Sequence, residues 1–208
     1  MKTSRLILII SIVSIATVVL FTGAAVLLVV MAGSGSSGSS SMYSSFGEKV
    51  GLVRISGVIF ESEAECEFID SLRDNEDVRG VIIRVDSPGG LVAPSQELHR
   101  QIKALAEVKP VVVSMGSVAA SGGYYLACPA DVIIANPGTI TASIGVKMEL
   151  TDMQGLMEKL GISRQSLVSG DFKDTGSAFR DMTPEEQELL QALIMDMYDQ
   201  FATAVAEG

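Results

Sequence analysis

Apolar residues are unevenly spread along the chain, and their spacing divides it into three parts. Leu6 through Met31 are 26 consecutive positions without a charge, a run about 39 Å long as a helix at about 1.5 Å per residue. That exceeds a bilayer core of about 30 Å and leaves room for tilt, so the run predicts a transmembrane helix. Lys2 and Arg5 precede it and Ala32-Gly33-Ser34 follow, the layout of a cleavable signal peptide, but the apolar stretch outlasts the roughly 7–15 residues of such a segment. A retained anchor over residues 1–31 fits better. Positive charge before the span and none just after it puts the N-terminus in the cytoplasm and the rest of the chain outside, at a cell (inner) membrane. Residues 32–46, mostly Gly and Ser, have nothing to bury and read as a flexible linker.

From residue 47 onward short β-branched runs alternate with amphipathic segments. Val50 to Ile55 predicts a first strand, and Ser62 to Asp74 a helix with Glu65, Cys66, Phe68, Ile69 and Leu72 spaced for one face. Gly80 to Val85 is a second strand, Pro94 to Glu107 a helix stopped at Lys109-Pro110, and Val111 to Met115 a third strand. A short helix at Ser121 to Cys128 precedes a fourth strand at Asp131 to Ala135. An irregular stretch follows from Asn136 to Val146, then a helix near Asp152 to Leu160, a short strand at Arg164 to Val168 and a polar loop. Thr183-Pro184-Glu185-Glu186 opens a last helix toward Val205, with Thr183 as N-cap and Pro184 at the first helical position. Its stripe of Leu189, Leu190, Leu193, Ile194, Met197, Tyr198, Phe201 and Val205 calls either for a partner surface or for the domain's own core. The alternation predicts an α/β domain with parallel strands joined by helical crossovers.

Composition narrows the chemistry. The mean hydropathy of +0.39 comes from the anchor, because residues 47–208 carry 13 basic against 25 acidic residues, a net charge of −12. Such a surface repels phosphate backbones and gives no counterion-release contribution, which excludes nucleic acid as a partner. Two cysteines and a single histidine offer no metal site and no disulfide framework. Cys66 and Cys128 read as unpaired buried thiols, although an oxidising compartment permits a pair.

In parallel α/β domains sites gather at the carboxyl ends of strands. After the second strand, Ser87-Pro88-Gly89-Gly90 offers glycine amides at close range, as an oxyanion hole requires. After the third, Ser121 stands among small residues just before a helix, where it is either a nucleophile or merely an N-cap. A Ser-His-Asp triad has only His99 to use, and its neighbours Glu97 and Arg100 mark a solvated helix face. Lysine is the other base, and Lys173, between Asp171 and Asp174, is either that base or an exposed loop residue.

Asp86-Ser87-Pro88-Gly89-Gly90, the segment from Met115 to Tyr125, Thr139 to Val146 and Ser169 to Asp174 together resemble the S49 type of membrane-anchored serine proteases, the signal peptide peptidase A family. The resemblance spans roughly Val50 to Gly208 and keeps the motifs in order, with Lys173 52 positions after Ser121. It implies a ClpP/crotonase-like α/β fold of repeated β-β-α and βαβ units behind one N-terminal transmembrane helix. By the same resemblance Ser121 is the nucleophile, Lys173 the general base, Gly89, Gly90 and Gly122 the oxyanion-hole residues, and Ser143 the lysine-orienting serine. Ala142 stands where the family usually has glycine. No cofactor or metal is implied. The implied substrates are signal-peptide remnants or other peptides in the membrane, met through the bilayer anchor at residues 6–31, and the implied assembly is a homo-oligomer in which serine and lysine can come either from one copy or from neighbouring copies. Members of the family continue past the last helix, so 47–208 reads as a peptidase domain truncated at its C-terminus. The competing readings are an inactive membrane-anchored assembly protein of the same fold and a crotonase-like acyl-CoA enzyme.

Overall fold

A computed structural model describes residues 47–208. The anchor predicted at 6–31, the charged start before it and the linker at 32–46 lie outside the described residues. Among the described residues no helix is long and apolar enough to cross a membrane. The elements run β1 (Lys49–Ser56), α1 (Glu63–Asp74), β2 (Val78–Ser87), α2 (Val92–Ala106), β3 (Val111–Ala120), α3 (Gly122–Tyr125), β4 (Val132–Ile134), β5 (Ile140–Ala142), α4 (Gln154–Lys159) and α5 (Pro184–Glu207).

The sheet is wholly parallel, in the order β1-β2-β3-β4, with β5 also on β3. This is the α/β architecture with parallel strands that the alternation predicts, and it fits the ClpP-like class. Strand alternation sets the core: Val53 and Ile55 of β1, Val81, Ile83 and Val85 of β2, and Val111, Val113 and Met115 of β3 all turn inward. Ile69 and Leu72 of α1 and Leu98, Ile102 and Leu105 of α2, spaced three and four apart, complete the same cluster. Each fully buried aliphatic side chain there contributes about 1.5–3 kcal/mol. Across the other face Leu52, Ile82, Val112 and Val132 stand in one register row. Leu52, Ile82 and Val132 remain exposed, whereas parallel sheets are usually covered on both sides.

Three expectations change. β3 continues past Met115 to Ala120, and its far end pairs with β5 inside the stretch read as irregular. β2 and β3 step out of register between Val85 and Ser87: Val85 faces Met115 but Ser87 faces Ala119, so β3 bulges around Gly116 to Val118. Asp86 fills the bulge, its Oδ1 accepting from the Val118 N–H at 3.1 Å. The strand expected at Arg164 to Val168 is absent: Leu167 is 91% exposed, and Arg164 instead stacks over the Phe179 ring at 4.3 Å. Cys66 and Cys128 are both free, and burial pushes the Cys128 thiol up to about 11.

The start of α5 is a capping box. Thr183 Oγ1 accepts from the Glu186 N–H at 3.2 Å while Glu186 Oε2 accepts from the Thr183 N–H at 2.9 Å. Of the apolar stripe along α5, Phe201 is buried while Leu189, Leu193 and Tyr198 stay exposed, so only the far end of the helix docks on the core. Glu186 is buried beside Arg180, whose guanidinium holds the carboxyl down from 4.5 to about 2. A carboxyl depressed in the folded state stabilises fully above its unfolded value, and the gain disappears as pH falls through the folded one. Thermal unfolding of the wild type and of Glu186→Gln should therefore differ by a constant amount above pH 4.5 and converge toward pH 2. A difference that persists unchanged at pH 2 would contradict this assignment.

Candidate active site

Parallel pairing of β2 with β3 brings the two segments that follow them side by side, because Ser87 is the register partner of Ala119. Ser121 comes next, with φ 53° and ψ −122°, a conformation that costs a side-chain-bearing residue about 1–3 kcal/mol. The fold over-determines it. The Ser121 N–H donates to the Ala142 carbonyl at 2.8 Å, and the Ser121 carbonyl accepts from the Tyr124 and Tyr125 N–H groups at 2.9 and 2.8 Å. Its side chain makes no capping bond to α3. The hydroxyl is therefore left free at a sharp strand-to-helix turn, the arrangement by which such a turn presents a nucleophile.

The glycine turn lies against it. Gly89 has φ +94°, and a Cβ there would sit 2.6 Å from the Gly122 nitrogen and 2.9 Å from Ser121 Cβ. A Cβ on Gly122 would collide with Ser95 Oγ, itself fixed by donating to the Leu91 carbonyl at 2.8 Å. The turn is clamped from outside by Ile59, whose N–H donates to the Gly89 carbonyl at 3.0 Å and whose carbonyl accepts from the Leu91 N–H at 2.8 Å. Of the three glycine amides expected as oxyanion donors, that of Gly89 is already engaged with Ser87 Oγ at 3.1 Å. The Gly90 and Gly122 N–H groups have no partner among the described residues. Both line one cleft with Ser121, walled by Tyr125, Val146, Met197 and Phe201.

The other predicted residues are placed differently. Ser143 is exposed, with φ 56°, directly after Ala142, whose carbonyl holds the Ser121 amide. Ala142 itself has φ 62°, the conformation for which glycine is the natural choice. Lys173 is exposed in a run of turns and does not line the cleft; its N–H donates to the Gly170 carbonyl at 3.1 Å. The fold thus brings Ser121, Gly89, Gly90 and Gly122 together and sets Ser143 nearby. It does not bring Lys173 to them within one chain.

His99 is not on a solvated face. It is 9% exposed and its ring stacks 4.6 Å from that of Tyr125, which in turn meets Phe201 edge-on at 5.0 Å. Burial, with the Lys103 charge second, pushes its imidazole below the ordinary value. The Glu97 and Arg100 neighbours pointed outward correctly, but three-residue spacing from Ile102 puts His99 on the other side of the helix. The sequence reading also missed Met197 and Phe201 as cleft walls, although both belong to the α5 stripe, and the Ala142 carbonyl, which no side chain announces.

The family model for Peptidase family S49 matches residues 103–208. A putative protease of Methanocaldococcus jannaschii is 46% identical over 139 residues, which is 67% of this chain and 45% of that protein. A putative signal peptide peptidase SppA of Enterococcus faecium is 34% identical over 141 residues, 67% of this chain and 41% of that one. The chloroplastic serine protease SPPA of Arabidopsis thaliana is 40% identical over 146 residues, 70% of this chain and 22% of that one. The chain matches less than half the length of each of these three relatives.

Proposed function

The chain belongs to peptidase family S49, and from that membership we propose that it is a membrane-anchored serine endopeptidase using a Ser121–Lys173 dyad. The observation that carries the reading is the strained Ser121, its hydroxyl unengaged between two unpartnered amides in a cleft. In the proposed reaction the neutral Lys173 amine takes the Ser121 proton, and Oγ attacks the peptide carbonyl. The Gly90 and Gly122 N–H groups donate to the oxyanion, with Gly89 serving to let the two segments approach. Lys173 then returns the proton to the leaving amine, and water releases the acyl-enzyme. A lysine acts as a base in its neutral form, which desolvation favours.

We assign the lysine to the neighbouring copy in a homo-oligomer, with Ser143 orienting it. Two features support this. Lys173 is exposed and does not line its own cleft. Moreover, α5 spans about 16 Å from Glu186, beside the lysine turn, to Met197 in the cleft wall at about 1.5 Å per residue. The division into an anchor at 1–31, a linker at 32–46 and an extracytoplasmic peptidase domain at 47–208 is part of the same proposal. Its substrates would then be signal-peptide remnants, met at the membrane surface.

The position of Lys173 in a single chain also favours a second reading, a membrane-anchored assembly protein without turnover. Serine-directed labelling separates the two. A fluorophosphonate applied to the detergent-solubilised full chain should modify Ser121, as mass spectrometry of the labelled peptide would show. Failure to modify Ser121 would end the protease reading and leave the assembly protein.

A further inference from the structure

We propose that Arg180 is a positioning residue for Lys173, fastening the turn that carries the base to the first turn of α5; this rests on the dyad reading above. Arg180 lies between two carboxylates. Its Nη2 and Nε donate to Asp174 Oδ1 and Oδ2 at 2.7 and 3.3 Å, and its Nη1 and Nη2 donate to Glu186 Oε2 and Oε1 at 2.8 and 2.5 Å. Nη2 also reaches the Asp174 carbonyl at 3.4 Å, and Thr175 Oγ1 donates to Glu186 Oε1 at 3.2 Å. Asp174 and Thr175 are the two residues that follow Lys173, so the fork and its partner hold both side chains next to the lysine, and the Asp174 carbonyl with them. Glu186, 2% exposed, is in turn locked by the capping box of α5.

The chemistry of the cluster fits placement better than stability. A partly buried charge cluster is weak evidence for stability, since well-packed apolar side chains of similar volume often serve as well or better. What a guanidinium adds is a rigid planar set of donors that fixes two carboxylates in direction as well as distance. Lysine has a flexible four-carbon stem, and the Lys173 turn is otherwise closed by local bonds such as Lys173 N–H to Gly170 and Ser177 N–H to Asp174 at 3.0 Å. Misplacing a reacting group by about 1 Å can cost about 10²-fold in rate. The same α5 walls the serine cleft through Met197 and Phe201, so the clamp references the base to a helix that also shapes the cleft.

The test measures hydrolysis of a fluorogenic peptide by the detergent-solubilised full chain. Arg180→Ala should lower kcat about 10²-fold with KM unchanged. Millimolar guanidinium ion should restore at least about tenfold of that loss while leaving Lys173→Ala inactive, because only the missing fork can be replaced from solution. Arg180→Lys, which keeps the charge and loses the fork, should stay about tenfold or more below wild type; it decides the matter if Arg180→Ala does not fold. A kcat within twofold of wild type in the folded variants overturns the proposal. So does a loss that appears in KM or that guanidinium does not relieve. If those results coincide with an inactive Lys173→Ala, the dyad stands and only the clamp falls; an active Lys173→Ala removes both.

Discussion

Ser121→Ala in the full chain should reduce peptide hydrolysis to background, a fall of at least about 10⁴-fold. Lys173→Ala should be comparably inactive, and the double variant no worse, because nucleophile and base act as one unit and their losses do not add. Mixing the two inactive single variants tests where the lysine comes from. In a mixed oligomer, a Lys173→Ala copy still offers Ser121, and an adjacent Ser121→Ala copy still offers Lys173. Random assembly in a ring-like arrangement makes about a quarter of the interfaces complete, so activity should return to that order. If each site uses its own lysine, every site in the mixture lacks one partner and the mixture stays inactive. That result would overturn the shared dyad without touching Ser121.

Gly122→Ala should lower kcat by about 10²–10³-fold, the usual effect of losing one oxyanion donor. The physical cause is specific: the added methyl collides with Ser95 Oγ, and the Gly89 Cα lies only 3.4 Å from the Cβ position. Ser95 Oγ must leave its bond to the Leu91 carbonyl, and because Ser95 Cβ also lies only 3.1 Å from the new methyl, the α3 start that carries the Gly122 donor is pushed with it. Adding Ser95→Gly makes room on the helix side and should recover part of the loss. A Gly122→Ala enzyme with kcat near wild type would show that this amide does not face the oxyanion.

The readable and unreadable parts of the molecule differ in what holds them. β1 to β3 were legible because their buried positions are mostly β-branched and recur with a strand's period, as in Val81, Ile83 and Val85; β4 was legible from the β-branched run Val132-Ile133-Ile134 alone, since all three side chains stay exposed. β5 was not, since three residues held by the end of β3 need no apolar alternation and Ile140 is itself exposed. Arg164 to Val168 carried enough of a strand's composition to suggest one, yet Leu167 finds no partner. At the site, Ser121 could be picked out because a serine among small residues between a strand and a helix is unusual. Lys173 was visible only through the family resemblance, because a lysine flanked by aspartates looks like any surface loop. Glu186 gave a weaker hint through the Thr183-Pro184-Glu185-Glu186 helix start, without indicating what the glutamate would hold, and Arg180 gave none.

The bulge in β3 makes the nucleophile's address a matter of counting. Between Val85 and Ser87 on β2, β3 carries two more residues than its partner, and Ser121 is reached only after they have been used. Side chains on a strand alternate faces, so deleting one residue at Gly116 to Val118 would turn the end of the strand over and send the hydroxyl away from Gly89. Deleting two would restore the facing but draw Ser121 back by about 6–7 Å, short of the glycine turn. A site specified in this way tolerates substitution in the strand far better than any change in its length.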